Sequence, residues 1–491
     1  MSTETTLTPS DGPTALGKMR WVVALALLVL LTEQTALGFT LIAPALGGFA
    51  AEFQTTQIIW MITIFTLVGG VVTPVIGKLG DRFGKKRVLV WASMIGVAGS
   101  VICALAPTFG MMLVGRALMG LSTAFLPITV ALIRDVFPAS YRNLAIGIST
   151  NGVGVVTIAG PFLAGFLIDN VSLDAVFWFV GAISLVGGLG AQLVVPESPY
   201  RVDTRIDVGG VIGLMAGLLL VMYGISQLAT WEFTDLRTGL TIGGGLAVLG
   251  AWWVWEGRAA EPFIDTRLLA SRPMLTTIGS YALAGGAITV MASYLPTMLQ
   301  TPRALGVDYG FGLSATGVAR YLIVAGVLTV AGGVVVGLLA TRFGFRTFLI
   351  AGSAAIALGA LGLGSLMRDP WMPIVFYGVV GLGAMIFAAA PGLLMVLSPV
   401  TSRGVTAGMM GAISAAVGSG FVQSAGLVLN KNVAQVVQGY PVYSSRGWTI
   451  IFLMAASMAV AGAVVAMLIP RREDRVPSEV DADTIVITAM A

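Results

Sequence analysis

The sequence predicts an all-α integral membrane protein, and three features lead to that prediction. Of the 491 residues, 57% are hydrophobic and only 10% are charged, whereas a soluble protein carries roughly a quarter charged residues. The apolar residues form long runs, each close to the ~20 residues that a helix needs to cross a bilayer. The runs lack the alternation of barrel strands, so a bundle of helices is expected.

Fourteen runs are long enough to be membrane-spanning helices. The eighth ends in Trp252, Trp253 and Trp255, side chains of the kind that lie at a membrane interface. In chain order the expected spans cover residues 20–43, 57–77, 88–106, 110–133, 143–168, 174–195, 208–228, 239–256, 274–300, 315–340, 347–366, 371–396, 404–429 and 449–469.

The distribution of cations predicts the orientation of these spans. With an even number of spans, both termini lie on one side, and the connections on that side hold twenty of the 27 Lys and Arg residues. The opposite connections hold five, and Arg116 and Arg320 lie within spans. Because cations accumulate on the cytoplasmic side, both termini are expected in the cytoplasm, with the chain spanning the plasma membrane several times.

The composition also excludes several kinds of site. Cys103 is the one cysteine and there is no histidine, so neither an intramolecular disulfide nor a cysteine or histidine metal centre is expected. The net charge of +4 is too small to suggest nucleic-acid binding. No metal and no cofactor are therefore predicted.

The densest charge cluster, residues 77–87, connects the second and third spans and reads G-K-L-G-D-R-F-G-K-K-R. Residues 337–346, G-L-L-A-T-R-F-G-F-R, are a degraded copy after the tenth span. An internal repeat of this kind is typical of transporters and leaves spans seven and eight as an inserted pair. The predicted units are a tail (1–19), a six-helix half (20–200), the inserted pair (201–257), an interfacial linker (258–273), a second six-helix half (274–470) and a tail (471–491).

These motifs resemble those of the major facilitator superfamily. Residues 77–87 are similar to its signature loop, and Arg116 with Gly120 to its R-x-x-x-G motif. The fifth span resembles the glycine-proline motif associated with antiporters, and residues 196–201 resemble the P-E-S-P-R element. With fourteen spans, the nearest branch is the fourteen-helix drug:proton antiporters. The resemblance implies the major facilitator fold, with its 14 transmembrane helices arranged 6+2+6.

The resemblance also implies a latch in the charged loop, which would join the two halves when the transporter is open outward. Asp81 would meet the cytoplasmic start of the thirteenth helix, with Lys85 and Asp135 extending the network. The alternative is that the cations only fix the topology. The latch is expected to consist of Gly77, Gly80, Asp81, Arg82, Gly84, Lys85 and Asp135.

The fifth span combines small residues with a proline, which permits close helix contact and a bend. A gate between helices is one interpretation, and plain close packing is the other. The residues concerned are Gly154, Gly160, Pro161 and Gly165.

Glu33 is the one acidic residue of 23 that lies deep in a span, roughly 18 Å from the start of the first helix. A carboxylate at that depth is costly, so it should face a cavity or a partner. We predict that Glu33 carries the coupling proton and that Arg116 balances or orients it. The alternatives are a structural ion pair between the two, or an Arg116 that packs against backbone carbonyls.

The fold implied by the resemblance lines its cavity with helices 1, 4, 9 and 12. Large, adaptable side chains there suit a lipophilic solute, although part of the set is expected to pack in the core or face lipid. The polar members are equally consistent with hydrogen bonds between helices. The expected substrate contacts are Gln34, Thr40, Asn151, Tyr281, Met291, Tyr294, Phe376, Tyr377, Phe387 and Gln423.

The sequence therefore predicts a monomeric, proton-coupled exporter of lipophilic or amphipathic small molecules that works by alternating access and draws on the proton gradient. An endogenous solute, such as a lipid, an envelope precursor or a secondary metabolite, is the alternative substrate. A membrane-bound sensor or enzyme has little support, because no nucleotide loop or nucleophile–base pair is evident.

Overall fold

The fold is that of a computed structural model that describes residues 15–201, 207–228, 231, 234–259, 271–365, 369–397, 403–437 and 440–470. Within these ranges only the backbone is described at 15–18, 139, 140, 143, 147, 150–155, 157, 341, 365, 403–409 and 440. Most of the predicted N-terminal tail, most of the predicted linker and the predicted C-terminal tail lie outside the described residues.

The described chain is a bundle of long helices, which confirms the predicted all-α membrane class. Among these residues, thirteen helices are long and apolar enough to cross a membrane. The fifth predicted span corresponds to α5, whose described apolar part, Ile158–Asn170, is shorter. The arrangement of fourteen spans as 6+2+6 stays a prediction.

The helices follow the predicted order, and four of them contain breaks. The first six are α1 (Ala15–Thr32, Gln34–Thr40 and Leu46–Glu52), α2 (Trp60–Phe83), α3 (Lys85–Ala104), α4 (Phe109–Met119 and Phe125–Val136), α5 (Ala139–Asn170) and α6 (Ala175–Val194). The next two are α7 (Val208–Gln227) and α8 (Leu236–Thr238 and Gly244–Glu256, joined by a π turn). The last six are α9 (Arg272–Gln300), α10 (Ala315–Phe343), α11 (Phe345–Ser365), α12 (Trp371–Gly383 and Ile386–Leu397), α13 (Arg403–Asn430) and α14 (Ser445–Met467).

The first helix is longer than its apolar run. The sequence predicts its end near residue 43, but a 3₁₀ turn at Ala43–Ala45 leads into a further helical segment that ends at Glu52. Pro44 has no N–H to donate, and the Ile42 N–H donates to the Phe39 carbonyl, 3.3 Å away and three residues back. The helix is therefore wound more tightly at this point, and the chain continues as helix beyond it.

The charged connection 77–87 is mostly helix, which corrects the predicted loop. α2 runs to Phe83 and α3 begins at Lys85, so Gly84 alone forms the turn, with a φ of 107°. A φ in this range favours glycine. Gly344, with a φ of 77°, separates α10 and α11 in the same way, so the sequence echo corresponds to two turns of one form.

A two-stranded hairpin lies between α13 and α14, where the sequence predicts only a connection. β1 (Val433–Val437) pairs antiparallel with β2 (Tyr440–Tyr443). The Tyr309 hydroxyl donates to the Tyr443 carbonyl at 2.6 Å, which ties the hairpin to the connection between α9 and α10.

The helices form two groups, α1–α6 and α9–α14, with α7 and α8 beside them. We call the bundle end that holds the start of α1 and the end of α14 the terminal face, and the opposite end the distal face. α7 contacts both α2 and α13, and Met222 on α7 packs against Gly420 on α13. Among the described elements, the main partner of α8 is α7.

The two groups meet towards the distal face. The Gln300 side chain donates to the Pro44 carbonyl at 3.0 Å, and the Asn430 side chain donates to the Thr56 carbonyl at 3.0 Å. Further along the seam between α2 and α13, Gly70 packs against Ala415.

Towards the terminal face the groups separate. The α1 segment Ala15–Thr32 and the α4 segment Phe125–Val136 pack mainly within the first group, and the α12 segment Ile386–Leu397 packs within the second. The contacts between the described parts of the two groups therefore lie from the distal face to the middle of the bundle, which indicates a cleft that opens at the terminal face.

Candidate transport site and gates

Glu33 lies at the junction between the α1 segments Ala15–Thr32 and Gln34–Thr40. Its side chain is only 8% exposed. One carboxylate oxygen, Oε1, is 3.5 Å from the Thr32 hydroxyl, and the other, Oε2, has no hydrogen-bond partner in the described structure. A buried carboxylate with so little compensation is costly while it is charged. The site therefore favours a proton, or a partner that arrives with a solute.

Arg116 on α4 is fully buried and belongs to the helix packing of the first group. Its Nε donates to the Met61 carbonyl at 2.9 Å and its Nη2 to the Gly38 carbonyl at 3.0 Å. Its guanidinium carbon lies 4.4 Å from the centre of the Phe65 ring. Arg116 thus joins α4 to α1 and α2 through backbone carbonyls, and no ion pair with Glu33 is present in the described structure.

We expect Arg116→Lys to destabilise the protein and to impair transport. A lysine keeps the charge but cannot place two donors in the fixed fork that reaches both carbonyls. Losing one charged hydrogen bond should cost about 1.5–3 kcal/mol of unfolding free energy. The measurement is the apparent melting temperature in detergent, with Arg320→Lys as control, since Arg320 is exposed on α10. Equal melting temperatures for both variants would contradict this role.

The polar side chains of α1 face other helices of the first group. Gln34 Oε1 accepts a hydrogen bond from the Ser184 hydroxyl on α6 at 2.7 Å. The Cγ2 of Thr40 would lie 2.8 Å from a Cβ placed at Gly160, so Thr40 packs against α5. Both are predicted substrate contacts, and that role stays a prediction; in this conformation both contact neighbouring helices.

The predicted aromatic and methionine contacts divide into two sets. Tyr281 on α9 and Phe387 on α12 form an edge-to-face pair with ring centres 5.7 Å apart, and Phe387 is 42% exposed. The other members pack inside the second group: Met291 is fully buried, the Tyr294 hydroxyl donates to the Val422 carbonyl, Phe376 packs against Gly362 on α11, and Tyr377 is partly buried against the core. Among the predicted aromatic and methionine contacts, Phe387 is therefore the one whose ring is exposed.

Hydrogen bonds between the groups line the seam of α2 and α13. Gln423 Oε1 accepts from the Thr63 hydroxyl at 3.3 Å, and the Thr66 and Ser419 hydroxyls are 2.7 Å apart. Gln423, predicted as a substrate contact, is thus part of the closed seam. The side chain of Asn151, predicted in the same role, lies outside the described residues.

A charge network surrounds the turn between α2 and α3 at the terminal face. Lys85 Nζ is 3.1 Å from Asp81 and 2.9 Å from Asp135. Arg82 stacks over the ring of Phe83. Asp81 is half-exposed, at 42% of its side chain, so this carboxylate is accessible at the mouth of the cleft.

Glu197 organises the same turn, and this role is not among the sequence predictions. Its two carboxylate oxygens accept from the backbone N–H groups of Lys86 and Arg87 at 2.9 and 3.0 Å. These N–H groups belong to the first turn of α3 and have no partner within that helix. The neighbouring Ser198 hydroxyl donates to Asp135. The signal was the acidic residue of the P-E-S-P element, which was noted only as a motif.

The glycines of the predicted latch differ in how much space surrounds them. A Cβ at Gly80 would lie 2.9 Å from Ile128 Cδ1, and one at Gly84 would lie 2.8 Å from the Glu197 carboxylate. A Cβ at Gly77 would have open space within 4 Å. The predicted contact of Asp81 with the start of α13 involves side chains at 403–409, which lie outside the described ones.

On α5, the glycines with described surroundings pack closely against other helices. Gly160 contacts Thr40 as noted, and a Cβ at Gly165 would lie 2.5 Å from the N and Cα of Thr316 on α10. Pro161 lies inside the continuous helix. Gly154, predicted as part of the same gate, lies outside the residues whose surroundings are described.

The comparison with known families matches residues 28–423 to the Major Facilitator Superfamily. The chain belongs to this superfamily. Members are transporters, so the chain is a transporter rather than an enzyme. The predicted resemblance is thereby confirmed at the level of the superfamily.

Relatives within the superfamily include transporters and exporters. An uncharacterized MFS-type transporter of Mycobacterium tuberculosis is 30% identical over 80% of this chain and 58% of its own length. The tetracenomycin C resistance and export protein of Streptomyces glaucescens is 27% identical over 83% of this chain and 76% of its own length. The chain thus spans less than two thirds of the mycobacterial relative.

Solved structures support the superfamily fold. A peptide transporter POT in complex with sulfate superimposes with a TM-score of 0.64 at 16% identity, covering 92% of this chain and 95% of that one. A bacterial homologue of the human lysosomal transporter Spinster also gives 0.64, at 18% identity, covering 94% and 99%. At these identities the likeness concerns the fold alone.

Proposed function

We propose that this transporter is a proton-coupled exporter of lipophilic or amphipathic small molecules, of the drug:proton antiporter type. The observation that carries the proposal is Glu33, a buried carboxylate at a helix junction with one oxygen unpartnered among the described residues. Such a group gains stability by taking a proton. No histidine is present to compete for this role.

The proposed cycle alternates the protonation of Glu33 with the presence of substrate. When the cleft opens outward, Glu33 takes a proton as the substrate leaves. When it opens inward, Glu33 releases the proton and the substrate enters. The cation distribution predicts a cytoplasmic terminal face, and on that assignment the cleft of this structure opens to the cytoplasm.

The apolar side of the cleft favours a lipophilic solute. The exposed ring of Phe387, backed by Tyr281, offers a flat apolar surface, and aromatic faces bind planar or cationic groups without a fixed hydrogen-bond geometry. The names of two relatives, the tetracenomycin C resistance and export protein and a Bacillus subtilis multidrug resistance protein, point the same way.

Reconstitution in proteoliposomes tests this function directly. We expect efflux of several fluorescent amphipathic compounds when a proton gradient is imposed, and loss of that efflux when an ionophore collapses the gradient. Protein-free liposomes control for passive leak of the dyes. Gradient-independent efflux would contradict proton coupling, and absence of efflux for every compound would contradict a broad lipophilic specificity.

An endogenous solute is the second candidate substrate, and the names of two relatives also support it. Two relatives from Streptomyces species are each named for a single compound, one as the "Tetracenomycin C resistance and export protein" and one as a "Probable actinorhodin transporter". Profiling the compounds that accumulate in cells lacking this protein would separate this candidate from a general drug exporter. A single accumulated lipid or metabolite would favour it.

The cellular setting follows from the same proposal. We propose that the chain acts as a monomer in the plasma membrane, with both termini cytoplasmic and with the proton gradient as its energy source. Labelling of a cysteine introduced at Arg82 by a membrane-impermeant reagent would test the orientation. Reaction in inverted vesicles but not in intact cells is expected.

A further inference from the structure

Asp169, in the last turn of α5, bridges the two helix groups at the distal face. Its carboxylate oxygens accept hydrogen bonds from the backbone N–H groups of Ala315 and Thr316, at 3.2 and 2.9 Å. These are the first two residues of α10. An acidic residue of the first group thus serves as a cap for a helix of the second group.

The first turn of α10 presents donors that its own helix cannot satisfy. The Ser314 hydroxyl accepts from the third of them, the Gly317 N–H, at 3.1 Å. The other two donate to Asp169 on the opposite group. The peptide dipoles of a helix align along its axis and leave a partial positive charge at its N-terminus. The start of this 29-residue helix therefore also attracts a carboxylate. The contact is therefore both a pair of hydrogen bonds and a charge–dipole interaction.

The backbones approach closely one turn before this contact. Gly165 lies four residues before Asp169 on α5, and the space for its missing Cβ is filled by the backbone of Thr316. The carboxylate can reach the helix start because of this close approach. If α5 and α10 separated at the distal face, both Asp169 hydrogen bonds would break together.

We propose that Asp169, Ala315 and Thr316 form a distal clasp that holds the transporter closed at the distal face. The clasp is intact only while α5 and α10 touch at that end, so it stabilises the conformation whose cleft opens at the terminal face. Water replaces the clasp in the opposite conformation. Asp169 therefore sets the balance between the two conformations without contacting substrate.

Asp169 and Asp81 occupy corresponding positions at opposite faces of the bundle. Both carboxylates belong to the first group, one at each face, and each is associated with the start of a second-group helix: α10 by observation for Asp169, α13 by prediction for Asp81. Opening one face would break one contact while permitting the other. The clasp itself depends on neither the substrate nor the proton site.

Distance measurements between spin labels test the clasp. Gly110 on α4 and Ala304, in the connection between α9 and α10, are exposed at the distal face, and cysteines there report the opening of that face. Cys103 is buried and can remain. We expect Asp169→Asn to increase the long-distance population about three- to fivefold, as expected for the loss of a charge at an exposed helix start.

The matched control is Asp174→Asn, the same change at the same face. Asp174 precedes α6 and makes no side-chain hydrogen bond to that helix start. The Asp174→Asn variant should therefore leave the distance distribution between the two spin labels unchanged. High salt should narrow the difference between Asp169→Asn and the wild type, because screening weakens the charge–dipole part.

A second variant acts by sterics rather than charge. Gly165→Val would force α5 and α10 apart at the same seam and should shift the distribution in the same direction. If Gly165→Val opens the distal face and Asp169→Asn does not, the seam is a gate but Asp169 is not its clasp, and the proposal is wrong. The proposal is also wrong if Asp174→Asn gives the same shift as Asp169→Asn.

Discussion

Proton-driven efflux by the Glu33→Gln variant is expected to fall to the level of protein-free liposomes. Glutamine has nearly the shape of a protonated glutamate but cannot release a proton. Because the Glu33 side chain is buried, the neutral amide should be tolerated and the fold retained. The antiport cycle would therefore stop at the step that requires a charged Glu33, and exchange of substrate for substrate would stop as well, because the proposed cycle admits substrate only after Glu33 has released its proton.

The control for Glu33→Gln is Glu52→Gln. Glu52 is the last residue of α1 and is exposed at the distal face, so the same substitution on the same helix should leave efflux unchanged. Proton movement into the vesicles, followed with a pH-sensitive dye, should accompany substrate efflux in the control and be absent in Glu33→Gln. Unchanged gradient-driven efflux by Glu33→Gln would reject Glu33 as the proton site.

Helix positions were predictable because they depend on length and hydropathy alone. A bilayer requires that backbone polar groups be satisfied within each segment, and so each long apolar run had to be a helix. Errors arose where a helix continues past its apolar run. α1 continues beyond Pro44 to Glu52, and residues 77–83 continue α2.

Side-chain partners were less predictable, because they depend on how each helix is rotated in the bundle. The sequence indicated that Arg116 needs a partner, but the two carbonyls that satisfy it belong to α1 and α2. Gln34 follows Glu33 directly, and its bond to Ser184 on α6 could not be inferred from spacing. Asp169 depends on the start of a helix 146 residues later.

Asp81→Asn is expected to abolish transport while leaving the fold and substrate binding largely intact. In this structure Asp81 contacts Lys85 within its own group and remains half-exposed at the mouth of the cleft. Closure of the terminal face would bring it towards the start of α13, where the N-terminal N–H groups would favour its charge. Asparagine keeps the shape but loses the charge, so the outward-open conformation would lose this stabilisation.

The variant separates a latch from a structural role when binding and transport are measured together. A latch predicts that a fluorescent substrate still binds in detergent while efflux is lost, and that Asp174→Asn, which removes a charge at the other face, transports normally. Loss of binding equal to the loss of transport would indicate that Asp81 maintains the fold through Lys85 and Asp135. Because Asp169→Asn should weaken the opposite contact, adding it to Asp81→Asn should restore part of the outward-open population, which a folding defect would not allow.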